Sequence, residues 1–307
     1  MTNPTLKQSN SKLWLAAIKP PMYSVAIMPI WLGTAVAFYQ TSQINWSIFA
    51  TFISSAILIL AWENLLNDVF DSETGIDRNK PHSLVNLTGN KSLIAMIGNL
   101  CLLAGILGII AICWSQRDLT ILGLILACCG LGYLYQGPPF RLGYLGLGEI
   151  LCFFAFGPLA VSAAYYSQTQ AWSGLSLAAS LVLGITTTLI LFCSHFHQVE
   201  VDLAAGKRSP IVRLGTALGA KLLPWSCGIA LGWIGLMVGL GEFPVWTLLS
   251  FAGLPAAVHL CRHVAQNHDQ PERVSNCKFI AVSFHFWSGL LFGVGFVLAR
   301  FNFNSFN

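Results

Sequence analysis

The stretch ENLLNDVFDSETGID, residues 63–77, holds five of the 12 carboxylates in the chain, and the preceding WSIFATFISSAILILAW carries no charge at all. In a helix, Glu63, Asn67 and Asp71 fall four apart on one face, and Asn64, Asp68 and Asp71 form an adjacent stripe. Carboxylates gathered near a helix C-terminus repel one another and oppose the helix dipole, so a purely structural sequence places Lys or Arg there. A divalent cation removes the conflict. Oxygen donors of this kind suit magnesium, which keeps several waters and bridges to substrate phosphates. On this stretch alone, a solvated loop whose acids pair with Arg78 and Lys80 remains an alternative.

A second stretch, CSHFHQVEVDLAAGKRSPIVRLGT at residues 193–216, repeats the pattern. Gln198 and Asp202 share the spacing of Asn67 and Asp71, and both stretches run on into basic loops, GIDRNK and AGKRS. Two oxygen-donor pairs surrounded by Lys and Arg describe a site for a magnesium diphosphate. The metal takes the carboxylates and phosphate oxygens, and the cations take the remaining charge.

The elements that must position these residues are membrane helices. The 307-residue chain is 55% apolar and only 9% charged, with mean hydropathy +0.67. A soluble chain carries about 25% charged residues. Long apolar runs predict nine transmembrane helices near 22–39, 47–66, 93–114, 119–136, 149–166, 174–195, 222–240, 245–264 and 279–299. Short connections predict an all-α, antiparallel bundle in a single domain over residues 1–307. Residues 1–20 are expected to be a cytoplasmic or interfacial N-terminal segment, with Trp14 as an anchor.

With the N-terminus inside, every one of the 16 Lys and Arg residues except Arg117 and Arg300 falls on the inner side. This positive-inside asymmetry supports the odd helix count. The net charge of +4 therefore reports topology and implies no nucleic-acid partner. The first 21 residues end in Lys-Pro-Pro and lack a cleavable signal pattern. The nine cysteines contain no CxxC pair and read as small buried hydrophobes. His195 and His197 point to different helix faces, and His259 with His263 reads as interfacial packing.

NDVFD with GID, followed by DLAAGKRSPIVRLG, resembles the UbiA superfamily of intramembrane aromatic prenyltransferases. The resemblance spans the whole chain. The longer strings ENLLNDVFDSETGIDRNKPHSLVNLTGN and HQVEVDLAAGKRSPIVRLGT look most like its cyanobacterial and chloroplast branch, which acts on 1,4-dihydroxy-2-naphthoate in phylloquinone synthesis. That resemblance implies a nine-helix fold, a Mg2+ cofactor, phytyl diphosphate as donor and a naphthoate acceptor. It also implies an inner or thylakoid membrane, and charge placement puts the N-terminus and site loops on the cytoplasmic side.

By the same resemblance, Asn67, Asp68, Asp71 and Asp202 match metal-binding positions, with Gln198 a weaker match. Arg78, Lys80, Lys91, Arg141, Lys207 and Arg208 are diphosphate candidates, and Tyr135 opens the loop YQGPPFRLGYLGLGE that closes the site. Gly143, Gly146 and Gly148 in that loop follow no strand and are not a nucleotide-binding motif. Two positions depart from the family pattern: Gly75 and Gln198 stand where many members carry an acid, so Glu200 is an alternative partner for Asp202. Asp77, His197 and Glu200 are candidate bases.

The chemistry implied is alkylation of an electron-rich ring by an allylic cation in a water-free bundle, with loss of carbon dioxide restoring aromaticity. A longer polyprenyl donor, giving menaquinone, and another acceptor such as homogentisate fit the same motifs. A cation-coupled transporter is the alternative of a different class. Its acids normally lie near the midplane, whereas these lie at helix ends.

Overall fold

The computed structural model describes residues 10–76 and 83–303 of the chain. The expected positions Asp77, Arg78 and Lys80 lie outside the described residues. Helices and turns account for the described structure, with no strand among those residues. The long helices are α1 (Ser24–Thr41), α2 (Trp46–Thr74), α3 (Lys91–Gln116), α4 (Thr120–Gln136) and α5 (Gly148–Thr169). They continue as α6 (Gly174–Ser194), α7 (Thr216–Gly239), α8 (Val245–Asn267) and α9 (Cys277–Phe303). Among the described residues, eight helical segments are long and apolar enough to cross a membrane; α4 is apolar but has 17 residues. At 1.5 Å per residue it reaches about 26 Å, slightly short of a hydrocarbon core of about 30 Å.

The two largest differences from the expected boundaries are in α7 and α2. Helix α7 starts at Thr216, earlier than position 222, and α2 continues two turns beyond position 66 to Thr74. Hydropathy falls at residue 63, but nothing there breaks a helix. The breaker is Gly75, which adopts φ 76° and donates its N–H to the Asp71 carbonyl at 3.1 Å. A left-handed cap of this kind favours glycine. The acids therefore sit within a helix, held in fixed directions.

Helices α1, α5, α6 and α9 interlock through buried Leu32, Val36, Val161, Leu183, Phe292 and Phe296. The outer faces of α3 and α7 instead expose Leu100, Leu103, Leu107, Trp225, Ile229 and Leu236. Such faces are solvated by lipid tails without penalty. Helix α5 contains a π turn at Ala155–Leu159 around Pro158, which has no N–H to donate and so loosens the helical ladder there. The turn sets Ala155 and Phe156 on the wall of an internal cavity.

Loop contacts sort the connections into two ends of the bundle. At one end, the Tyr144 hydroxyl donates to Thr74 Oγ1 at 2.8 Å and the Arg208 N–H donates to the Tyr144 carbonyl at 2.8 Å. At the other, the Asn45 N–H donates to Gln168 Oε1 at 2.8 Å and Gln170 Nε2 donates to the Gln116 carbonyl at 3.1 Å. The acid-bearing end of α2, the loop carrying Tyr144 and the loop carrying Arg208 thus share one end, as charge placement predicts. All nine cysteines are free.

Candidate active site

A cavity of about 890 Å³ lies among α1, α2, α4, α5 and α6 at the end carrying the basic loops. Its deep part is apolar, walled by Met22, Val25, Leu60, Leu151, Phe156 and Ile190. The polar part is built from two sources. Helix α2 supplies Asn67, Asp71 and Thr74, while the segment after α6 supplies His197, Gln198 and Glu200. Lys19, Lys207 and Lys278 complete it. Sequence reasoning brought Asn67, Asp71, Gln198, Glu200, Tyr135 and Lys207 to one site, and the structure places all six on this cavity.

The oxygen donors present suit a hard divalent cation. Asp71 is buried and accepts a hydrogen bond from Gln136 Nε2. Among the described residues no three His, Cys, Asp or Glu side chains gather as a closed metal cage. An open donor set of carboxylates and amides, completed by waters and substrate phosphates, matches how magnesium is held at phosphate-transfer sites.

Other expected residues lie off the cavity wall. Asp68 points away from the Asn67–Asp71 face, about 100° around the helix from Asn67. Its Oδ2 accepts the Leu84 N–H at 2.8 Å, fastening the short helix Leu84–Thr88 to α2, and Lys19 Nζ lies 4.0 Å from its Oδ1. Asp68 is not among the cavity-lining residues.

Asp202 also lies off the cavity and is fully buried. The physical reason is a break in the helix: α6 ends at Ser194, and Gln198 stands at the N-cap of a separate short helix, Val199–Ala204. The second motif is therefore not the helix-end copy of the first that its spacing suggests. His195 Nδ1 stands 3.2 Å from Asp202 Oδ2, and Lys207 Nζ stands 3.8 Å from Oδ1. Burial pushes the Asp202 carboxyl up, but the His195 hydrogen bond and the Lys207 charge outweigh it and hold the group below the usual carboxylate range. Burial lowers His195, outweighing the pull of Asp202, so the neutral ring donates from Nδ1. Its Nε2 faces Glu149 Oε1 at 3.5 Å.

Lys207 thereby reaches the cavity from an anchored position, with its ammonium 5.8 Å from the Tyr144 ring centroid. Burial raises the Tyr144 hydroxyl, opposed by its hydrogen bond to Thr74. Lys91 and Arg141 do not line the cavity; both pair with Glu73, at 2.6 and 3.4 Å. Arg208 is exposed and contributes its backbone to the loop contact with Tyr144. Reasoning from sequence missed Lys19, Lys278, Gln136 and Glu149. The two lysines were visible only as inside charges, because their convergence requires the first and last helices to meet.

Tyr135 depends on the glycines of the following loop. A Cβ at Gly148 would lie 2.5 Å from Tyr135 Cε2, and one at Gly143 equally close. These glycines make room for an aromatic ring. Gly148→Ala should cost about 1–3 kcal/mol through overpacking. It should also push the Tyr135 ring into the cavity, read as a lower unfolding temperature in detergent together with a raised KM for the donor. An unchanged KM would mean that Tyr135 does not shape the site.

The model of the UbiA prenyltransferase family matches residues 26–289. Over 293 residues, covering 95% of each chain, this protein is 57% identical to the 2-carboxy-1,4-naphthoquinone phytyltransferase of Synechocystis sp.. The chain belongs to the UbiA prenyltransferase family. This UbiA-family chain is also 40% identical to the chloroplastic 2-carboxy-1,4-naphthoquinone phytyltransferase of Arabidopsis thaliana, across 94% of this chain and 78% of the relative. Its fold is similar to that of a UbiA homologue from Archaeoglobus fulgidus bound to GPP and Mg2+. That likeness has a TM-score of 0.59 and 15% identity, and covers 91% of this chain and 99% of that one.

Proposed function

We propose that the protein transfers a phytyl group from phytyl diphosphate to the carboxylate-bearing carbon of 1,4-dihydroxy-2-naphthoate, the reduced form of 2-carboxy-1,4-naphthoquinone, with release of carbon dioxide and diphosphate. The observation that carries this reading is the gathering of donor oxygens and three lysines at one end of an apolar cavity. The Synechocystis relative's name supports the substrate pair; relatives named octaprenyltransferases, from Bacillus subtilis, Escherichia coli and Mycobacterium tuberculosis, are 23%, 25% and 27% identical.

In this reading Asn67, Asp71, Gln198 and Glu200 would hold magnesium, which would supply Lewis-acid neutralisation of the departing diphosphate. Lys19, Lys207 and Lys278 bind the remaining phosphate charge. The apolar walls receive the phytyl chain and exclude water from the allylic cation. Phe156 and Tyr135, both on the wall, offer π faces to that cation. Nine helices, α4 included, cross the membrane with the site end cytoplasmic.

Purified protein in lipid nanodiscs, offered phytyl, geranylgeranyl and octaprenyl diphosphates with naphthoate or homogentisate, tests the chemistry. Phytylated naphthoquinol and carbon dioxide should appear only with magnesium; preference for homogentisate or octaprenyl diphosphate would replace this assignment. For topology, a membrane-impermeant thiol reagent should label Lys91→Cys and Arg208→Cys from the cytoplasmic side and Gln43→Cys from the other. Opposite sidedness of the first two would separate the motifs and dismantle the site.

A further inference from the structure

Glu63 lines the cavity one helical turn inward from Asn67, toward the apolar chamber. Its carboxyl fills a notch left by Gly132 on α4: a Cβ there would lie 3.3 Å from Glu63 Cδ and 3.4 Å from Oε1. Among the described residues, no side chain forms an ion pair or hydrogen bond with this carboxyl. Tyr133 and Tyr135 on α4 line the same pocket as Glu63, and the thiols of Cys128 and Cys129 on α4 and of Cys152 on α5 lie close enough to sense its charge.

An ionisable side chain inside a membrane bundle is costly and marks function when it faces an internal cavity. The three lysines gather with Asp71 at the polar end, so Glu63 lies on the far side of the diphosphate position. That is the boundary between the charged head and the apolar chain, where an acceptor ring must meet the allylic carbon.

We propose that Glu63 is the acceptor-side catalytic residue, taking and then returning the proton of the ring hydroxyl adjacent to the reacting carbon. This rests on the function assigned above. As the allylic C–O bond breaks, its electron pair leaves on diphosphate. The ring carbon bearing the carboxylate forms the new C–C bond, and the hydroxyl proton passes to the Glu63 carboxylate. The product of this step is a β-keto carboxylate. Its C–C bond to the carboxylate breaks, carbon dioxide leaves, and the electrons form an enolate whose oxygen recovers the proton from Glu63. The carboxyl ends as it began, so no proton path to water is required. This suits a group enclosed by apolar walls.

The test compares wild type, Glu63→Gln and Glu63→Asp in nanodiscs, using the hydroxyaromatic acceptor that the wild type prenylates. A wrong acceptor then overturns the function assignment alone. Positioned acid–base groups contribute about 10²–10⁴-fold, so Glu63→Gln should lose at least about 100-fold in turnover. The magnesium midpoint, and the affinity for a non-reactive phytyl thiodiphosphate, should stay within about twofold, because neither rests on the acceptor-side proton. Glu63→Asp keeps the carboxyl about one methylene short and should retain part of the rate. Unfolding temperatures report whether each variant is folded. Turnover of Glu63→Gln within about threefold of wild type overturns the proposal. So does a lowered turnover restored by excess magnesium, which would make Glu63 a metal ligand.

Discussion

Asp71→Ala is expected to lower turnover by on the order of 10³ or more while leaving the bundle folded. A metal-neutralised leaving group accounts for several kcal/mol of transition-state stabilisation, and about 4 kcal/mol corresponds to a factor of 10³. The small structural cost follows from the position of Asp71. Its carboxylate accepts from the Gln136 amide, and Gln136 itself lines the cavity, so the freed donor can turn to water. Asp71→Asn, which still accepts from Gln136, should unfold at the wild-type temperature and be equally inactive. Turnover by Asp71→Ala near the wild-type rate in saturating magnesium would remove the metal–diphosphate reading.

Asp202→Ala is expected to lower both stability and turnover. The carboxylate is fully buried between His195 at 3.2 Å and Lys207 at 3.8 Å. Removing it leaves an ammonium and an imidazole N–H in a buried place without their acceptor. Breaking a buried charge pair from one side typically costs about 3–5 kcal/mol. Turnover falls because Lys207 loses the anchor that directs it into the cavity. Asp202→Asn retains an oxygen for His195 and should recover part of the stability but little of the rate. Thermal unfolding in detergent, measured beside turnover, separates the alternatives. If Asp202→Ala unfolds like wild type yet is inactive, then Asp202 acts as a ligand in the cavity and not as the anchor of Lys207.

The pairing of Lys91 and Arg141 with Glu73 shows how charge is distributed around the site. Both cations are spent at the rim on one carboxylate, while Lys19, Lys207 and Lys278 reach inside. Exposed pairs of this kind contribute only about 0–1 kcal/mol. Their evident role is to tie the loop carrying Arg141, and the start of α3, to the end of α2.

The order and approximate limits of the helices were legible in the sequence because hydropathy and helix propensity are local. Apolar runs long enough for a bilayer appear directly as runs. The gathering of Asn67, Asp71, Gln198, Glu200 and Lys207 at one site was legible too, because the inside-face charges place both motifs at the same end of the bundle. Only the tertiary structure decided which side chains face the cavity. Asp68 and Asp71 are three residues apart, yet the rotation of α2 sends one to the Leu84 N–H and leaves the other on the cavity wall. The break after Ser194 turns Asp202 inward while Gln198 and Glu200 stay on the wall, and no spacing rule anticipates it. Lys19 and Lys278 are 259 positions apart in the chain, and they converge because helices α1 and α9 pack together. Burial and convergence depend on contacts between distant segments, so they belong to the packed bundle and not to any window of the sequence.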